Sequence, residues 1–165
     1  MPGKVFLFKH LVYFHETNSM GGVVYFSNYV KWQGMVREEF FLMTVPQWKP
    51  LMREVISGNL NMLTAEEYSR FIKHSFFGDD ITIKIYASDI KKLSFKVIFE
   101  MTKNNESDLI YSGWQKLAFE DRRGNFVPIP EPLLAAVLDY APVEEVMKYK
   151  TTYSIDGKDL VVGKP

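Results

Sequence analysis

Apolar and polar residues alternate with period two in three stretches of the chain, and this alternation predicts strands. Ile81, Ile83, Ile85 and Ala87 alternate with Thr82, Lys84 and Tyr86; Phe95, Val97, Phe99 and Met101 alternate with Ser94, Lys96, Ile98 and Glu100. Residues 109–120 form a third, longer run containing Gly113, which is expected to mark a bulge. The connections between these runs, residues 89–92 and 103–108, are short and polar, which predicts antiparallel neighbours. Residues 5–14 are rich in β-branched and aromatic side chains and predict an earlier strand. Residues 59–72 predict another, although Glu66 and Glu67 interrupt its apolar pattern.

A different period governs residues 29–43. At 100° per residue, Tyr29, Trp32, Val36, Phe40 and Met43 share one face, with Lys31 and Glu38 almost opposite. This predicts one long helix, with Ser27 or Asn28 as its N-cap and Pro46 beyond its end. Gly34 is costly inside a helix, by about 1 kcal/mol against alanine, and is expected where something packs closely. Residues 47–58 read as irregular with a short helix. Pro130, Glu131 and Pro132 open a second helix over 133–140, and Pro142 starts one more turn. The order is a strand, a loop, the long helix, about four antiparallel strands and a terminal helix. It predicts an α+β fold, an antiparallel sheet wrapped around one long central helix. Residues 1–142 make a single domain, and 143–165 a polar C-terminal extension expected to be partly mobile.

Composition narrows the function. Lys and Arg together number 20, as do Asp and Glu, so the net charge is zero and the basic excess of a nucleic-acid binder is missing. No apolar run approaches a membrane span. The chain has no cysteine, which removes disulfides, zinc–thiolate sites and a thiol nucleophile, and fits a reducing, cytoplasmic compartment. Aromatic residues reach 15%, enough to fill a core or to wall a channel for a long apolar or polyene ligand. There is no GxSxG elbow, phosphate loop or strand-linked GxGxxG, and His10, His15 and His74 lack metal-ligand spacing.

Two features remain that bear on chemistry. Gly21-Gly22 follows Asn18 in the loop before the helix; it is either an ordinary turn or a bare backbone whose N–H groups face developing negative charge. Arg37 lies between Phe40 and Gln33 on one flank and Val30 and Phe41 on the other. A cation so placed must snorkel, enter a salt bridge, or hold a carbonyl or carboxylate.

The pattern Glu16-Thr17-Asn18, Gly21-Gly22-Val23-Val24-Tyr25-Phe26, Asn28-Tyr29, Trp32-Gln33-Gly34 and Arg37-Glu38 resembles the hotdog-fold thioesterases, above all those that accompany enediyne polyketide synthases. Gly78-Asp79 and Gly113-Trp114-Gln115-Lys116-Leu117-Ala118 are similar to turns and strands of the same superfamily. The resemblance runs over residues 5–140. Many members carry an Asp where Asn18 stands or an acidic residue where Gly34 stands; this chain has neither, as in the enediyne type. The resemblance implies that Asn18 and Arg37 are catalytic, and the reading of the loop adds the Gly21 and Gly22 N–H groups as an oxyanion site. Tyr25, Tyr29, Trp32 and Phe40 are the expected substrate-binding residues. The implied reaction is hydrolysis of a long polyketide or β-ketoacyl thioester on an acyl carrier protein, or on CoA, with decarboxylation of a β-keto acid product. A homo-oligomer, a dimer of dimers with sites between subunits, is implied, with no metal or organic cofactor and neither nucleic acid nor membrane as partner. Two other classes fit the same fold: a hydro-lyase acting on hydroxyacyl thioesters, for which His15 and Glu16 are the nearest acid–base pair, and a non-catalytic acyl-binding protein.

Overall fold

The structure, a computed structural model, describes residues 3–18 and 20–153. Strand β1 (Phe6–Leu11) leads through a single 3-10 turn (Phe14–Glu16) and a loop into helix α1 (Ser27–Thr44). A short helix α2 (Trp48–Ile56) precedes strands β2 (Leu60–Phe71), β3 (Asp80–Ser88), β4 (Ser94–Lys103) and β5 (Asp108–Asp121). A two-residue strand β6 (Phe126–Val127), helix α3 (Glu131–Asp139) and helix α4 (Val143–Tyr153) follow. Of the extension 143–165 expected to be partly mobile, residues 154–165 lie outside the described residues; within 143–153, Tyr149 of α4 is buried in the core.

The strands form one antiparallel sheet in the order β1-β3-β4-β5-β2, with β6 paired to the end of β5. The period-two residues set its two faces. Ile81, Ile83 and Ile85 of β3, Phe95, Val97 and Phe99 of β4, and Tyr111, Leu117 and Phe119 of β5 are buried, and α1 supplies Tyr29, Trp32, Val36, Phe40 and Phe41 to the same core. The opposite face is polar and paired: Lys84 with Glu100, Lys96 with Asp89, Lys116 with Glu66, and Lys96 over the Trp114 ring at 4.1 Å. The sheet therefore wraps one side of a single long helix and shows charge on the other, the expected α+β arrangement. Strand β2 is an edge, with Thr64 to Tyr68 exposed. Among the described residues no helix is long and apolar enough to cross a membrane.

Several sequence expectations are corrected. Gly113 is not a bulge; it pairs in register with Phe99 and Ser69. The register shifts fall instead between Thr64 and Glu66 in β2, and between Met101 and Thr102 in β4. The β2 shift takes in Ala65 and explains why the apolar pattern of that strand breaks near Glu66. Helix α1 begins before the expected cap: Phe26 takes the N-cap position without a side-chain cap bond, and Asn28 lies inside the helix. Met43 is 73% exposed because the last turn of α1 exposes that stripe, and Phe41 turns inward in its place. Among the described residues nothing lies within 4 Å of where a Cβ on Gly34 would sit, so no close neighbour among them explains that glycine.

Gly113 has a different reason. A Cβ there would stand 2.5 Å from the Tyr68 carbonyl oxygen, 2.7 Å from Gln33 Nε2 and 2.8 Å from Tyr111 Oη. Its missing side chain is what lets α1 bring a polar residue down onto the sheet. Gly113→Ala is expected to destabilise the protein by about 1–3 kcal/mol through overpacking, measured by urea unfolding. A change within about 0.5 kcal/mol, the size of an ordinary surface substitution, would show that the helix can move aside.

Candidate active site

The loop between β1 and α1 is held by one buried carboxylate. Glu16 is 7% exposed, and both its oxygens are bonded. Trp32 Nε1 donates to Oε1 at 2.7 Å, the Tyr13 backbone N–H donates to Oε2 at 2.8 Å, and His10 Nε2 lies 3.0 Å from each oxygen. That imidazole nitrogen must carry its hydrogen, since a carboxylate can only accept. The Glu16 carbonyl takes two further bonds, from Asn28 Nδ2 at 2.6 Å and from the Tyr25 N–H at 3.1 Å. Burial alone would push the carboxyl pKa up. The bonds from Trp32, Tyr13 and His10 outweigh it and hold the group below its ordinary value of 4.5. Glu16 is thus a lasting anion that ties β1, the loop and α1 together, and its oxygens are not free to take a proton from water.

Beyond this knot the chain turns back on itself. Thr17 bridges Val24, Val23 bridges Phe76, and the Asn18 N–H donates to the Val23 carbonyl at 2.9 Å. Gly21 and Gly22 have φ of +76° and +65°, a left-handed pair that residues with a Cβ rarely adopt. The Gly22 carbonyl accepts from the Phe77 N–H at 2.9 Å, so the glycine turn rests on the segment before β3 rather than on the helix N-terminus. The Asn18 side chain is exposed; oriented to satisfy its neighbours, its nitrogen donates to the carbonyls of Met20 and Val23, both at 3.1 Å. What Asn18 can offer a substrate or water is therefore its oxygen.

Asn18 opens onto a cleft of about 420 Å³. Tyr25, Phe26, Tyr29 and Phe71 supply aromatic walls, and Lys73 and His74 add polar groups. Tyr29 is fixed by Ser75, whose Oγ lies 2.5 Å from its hydroxyl, and it stacks on Tyr111 at 5.4 Å. Trp32 and Phe40, expected on the substrate wall, lie elsewhere. Trp32 spends its N–H on Glu16, and Phe40 packs among Phe6, Phe41 and Tyr140 in the core. Sequence reasoning missed Phe71, Lys73 and His74, which come to the cleft only because β2 ends beside the Asn18 loop. Among the described residues, no three histidines or carboxylates gather as a metal site.

Arg37 stands apart from this cleft. It is ten residues into α1 from Ser27, about 15 Å along the axis. Its Nη1 donates to Thr64 Oγ1 at 2.9 Å and to Gln115 Oε1 at 2.8 Å, and its Nε is buried without a partner. Burial pulls its pKa below the ordinary value, with Glu38 acting the other way, but an arginine so placed stays charged. Of the fates open to this cation, it takes neutral acceptors on the sheet rather than a salt bridge. Gln33 and Gln115, both buried, complete its surroundings. Their signal in the sequence was an amide at an inward position of an otherwise apolar helix face and strand.

Residues 12–137 match the thioesterase-like superfamily. Among solved structures, a 1,4-dihydroxy-2-naphthoyl-CoA thioesterase from Synechocystis is similar at 17% identity with a TM-score of 0.74, over 82% of this chain and 97% of that one. The dynemicin thioesterase, whose crystal structures reveal induced-fit and allosteric effects upon polyene binding, is similar at 24% identity with a TM-score of 0.73, over 85% and 99%. A gentisyl-coenzyme A thioesterase is similar at 24% identity with a TM-score of 0.65, over 81% and 99%. These likenesses show the hotdog fold. No curated protein sequence matches the chain.

The Glu16 knot carries a pH signature. A carboxyl whose folded pKa lies below its unfolded one adds stability that is full above about pH 4.5 and is lost as pH falls through the lowered folded value. Glu16→Gln is expected to cost about 1–3 kcal/mol at neutral pH and to flatten that acid loss, measured by urea unfolding at about pH 7 and about pH 3.5. An acid loss as steep as in the unsubstituted protein would place its origin in other carboxylates.

Proposed function

The chain belongs to the thioesterase-like superfamily, and from that membership we propose that it hydrolyses acyl thioesters, its substrate being a long polyketide or β-ketoacyl chain on an acyl carrier protein. The observation that carries this reading is Arg37, a guanidinium between helix and sheet with only neutral acceptors on Nη1 and, among the described residues, no hydrogen bond on Nη2. Such a group is a ready donor for an oxygen that becomes negative.

Water attacks the thioester carbon and gives up one proton to solvent, the carbonyl oxygen takes up negative charge, and the C–S bond then breaks to release thiolate and a carboxylic acid. Thiolate leaves readily, so the reaction needs less general-base help than amide hydrolysis, and stabilising the oxyanion supplies much of the rate. One well-placed donor contributes about 3–4 kcal/mol. Arg37 is that donor. Asn18 accepts a hydrogen bond from the attacking water through its side-chain oxygen, and the N–H groups of Gly21 and Gly22 complete the oxyanion site. A β-keto acid product then loses CO2. The aromatic cleft beside Asn18 supports a conjugated or long acyl group, and the dynemicin thioesterase binds a polyene. CoA is the alternative carrier, as in the naphthoyl and gentisyl enzymes.

Arg37 does not line the cleft onto which Asn18 of the same chain opens. We therefore place the reacting centre between two copies, with the Asn18 loop of one facing Arg37 of the other and the open β2 edge covered in the assembly, a dimer or dimer of dimers.

Thiol release from purified protein tests the reading. Long acyl thioesters are expected to turn over faster than acetyl, by up to about 0.8 kcal/mol per buried CH2 until the cleft is full. Arg37→Ala should lose at least about 100-fold in kcat. An unsaturated product would instead mean a hydro-lyase, and binding without turnover an acyl-binding protein. Mixing unfolded Asn18→Ala and Arg37→Ala chains and refolding them together should restore about a quarter of the activity, because half the dimers carry one intact shared site. No recovery would place both residues in one chain's own site.

A further inference from the structure

Between α1 and the sheet, side-chain hydrogen bonds run in one line from Arg37 to the β2 edge. Arg37 Nη1 donates to Gln115 Oε1 at 2.8 Å, Gln115 Nε2 to Gln33 Oε1 at 2.9 Å, and Gln33 Nε2 to Tyr111 Oη at 2.5 Å. Tyr111 Oη lies 2.5 Å from Ser69 Oγ, and Ser69 donates in turn to Glu67 Oε1.

The two ends fix the direction of every link. A guanidinium can only donate, and an ionised carboxylate can only accept. Gln115 must therefore present its oxygen to Arg37 and its nitrogen to Gln33, and Gln33 must do the same toward Tyr111. The tyrosine hydroxyl accepts from Gln33 and so spends its own hydrogen on Ser69. Burial, with the Glu67 charge adding to it, pushes the Tyr111 pKa up to about 12, so that hydrogen stays in place over the neutral range. Bonds aligned in this way polarise one another and strengthen the first link. Gly113 gives Gln33 its passage, since any side chain there would stand between Gln33 Nε2 and Tyr111 Oη.

We infer that Gln115, Gln33, Tyr111 and Ser69 are positioning residues that hold Arg37 by Nη1 and leave Nη2, which is neither buried nor hydrogen-bonded among the described residues, for the substrate oxygen. The inference rests on the reading of Arg37 as the oxyanion donor. It gives a reason for buried amides in a core that apolar residues would fill more stably. It also explains why Arg37 has no carboxylate partner among the described residues: a direct ion pair would neutralise the charge that the reaction needs, whereas the hydrogen-bonded line fixes the guanidinium and keeps the Glu67 carboxylate four side chains away.

Tyr111→Phe removes one hydroxyl from the middle of the line and keeps the ring. Its kcat is expected to fall about tenfold, the effect of weakening one hydrogen bond to a charged group, with KM unchanged within about twofold. Ser69→Ala should act in the same direction. In an Arg37→Ala background Tyr111→Phe should cost nothing more, because both act through one group. An unchanged kcat in Tyr111→Phe, or an equal loss with and without Arg37, would overturn the inference. A second readout needs no turnover. In 15N-labelled protein, the Arg37 Nη hydrogens should give separate, slowly exchanging signals that merge in Tyr111→Phe. Identical signals in both proteins would overturn the positioning role. If the unsubstituted protein released no thiol, the thioesterase reading would fail, while the spectra would still decide whether the line holds Arg37.

Discussion

Arg37 carries a full positive charge into the half-buried seam between α1 and the sheet, where only neutral acceptors meet its Nη1. A charge in such a place must be solvated by fixed dipoles. Much of what is unusual in this core follows from that demand. Gln115 and Gln33 replace apolar residues at inward positions, Tyr111 is buried with a bonded hydroxyl, and β5 gives up a side chain at Gly113 so that the helix can approach. Ordinary apolar packing would have met none of these needs.

The other buried charge is treated in the opposite way. Glu16 accepts from His10, Trp32 and the Tyr13 backbone, so it has no edge left for chemistry. One carboxylate without a free edge fixes the loop, and one guanidinium with an unpartnered nitrogen carries the proposed reaction. This division weighs against the simplest rival within the fold, in which Glu16 would act as general base. It also keeps the Asn18 loop rigid at its root while the glycine turn, left-handed at both residues, rests on the Ser75–Phe77 segment through the Gly22 carbonyl.

The sheet was legible in the sequence because each central strand buries one face and alternates with period two. Where that alternation broke, at Glu66, the cause was a shift of register in β2 that no local pattern marks. The long helix was legible for the same reason, but its ends were not: Asn28 has the chemistry of a cap and uses it on the Glu16 carbonyl instead. The candidate site was half legible. Asn18, Arg37 and the glycine pair stood out as candidates by type and position. Trp32 was misplaced because an aromatic on an apolar face looks the same whether it meets a ligand or a buried carboxylate. The cleft residues Phe71, Lys73 and His74 depend on which strand end lies beside the loop, and the separation of Asn18 from Arg37 depends on the length of α1. Neither is written in a local motif.

The central claim is that the Arg37 guanidinium itself, held at one nitrogen and open at another, stabilises the oxyanion of a thioester. The most direct measurement is chemical rescue: thiol release by Arg37→Ala as guanidinium ion is added at concentrations below those that unfold the protein. The account predicts a saturable recovery of kcat with guanidinium and none with ammonium or sodium at equal ionic strength, because only the planar donor fits the vacated place between Thr64 and Gln115. An Arg37→Ala protein that already turns over at the full rate, or one that guanidinium leaves as slow as sodium does, would contradict it.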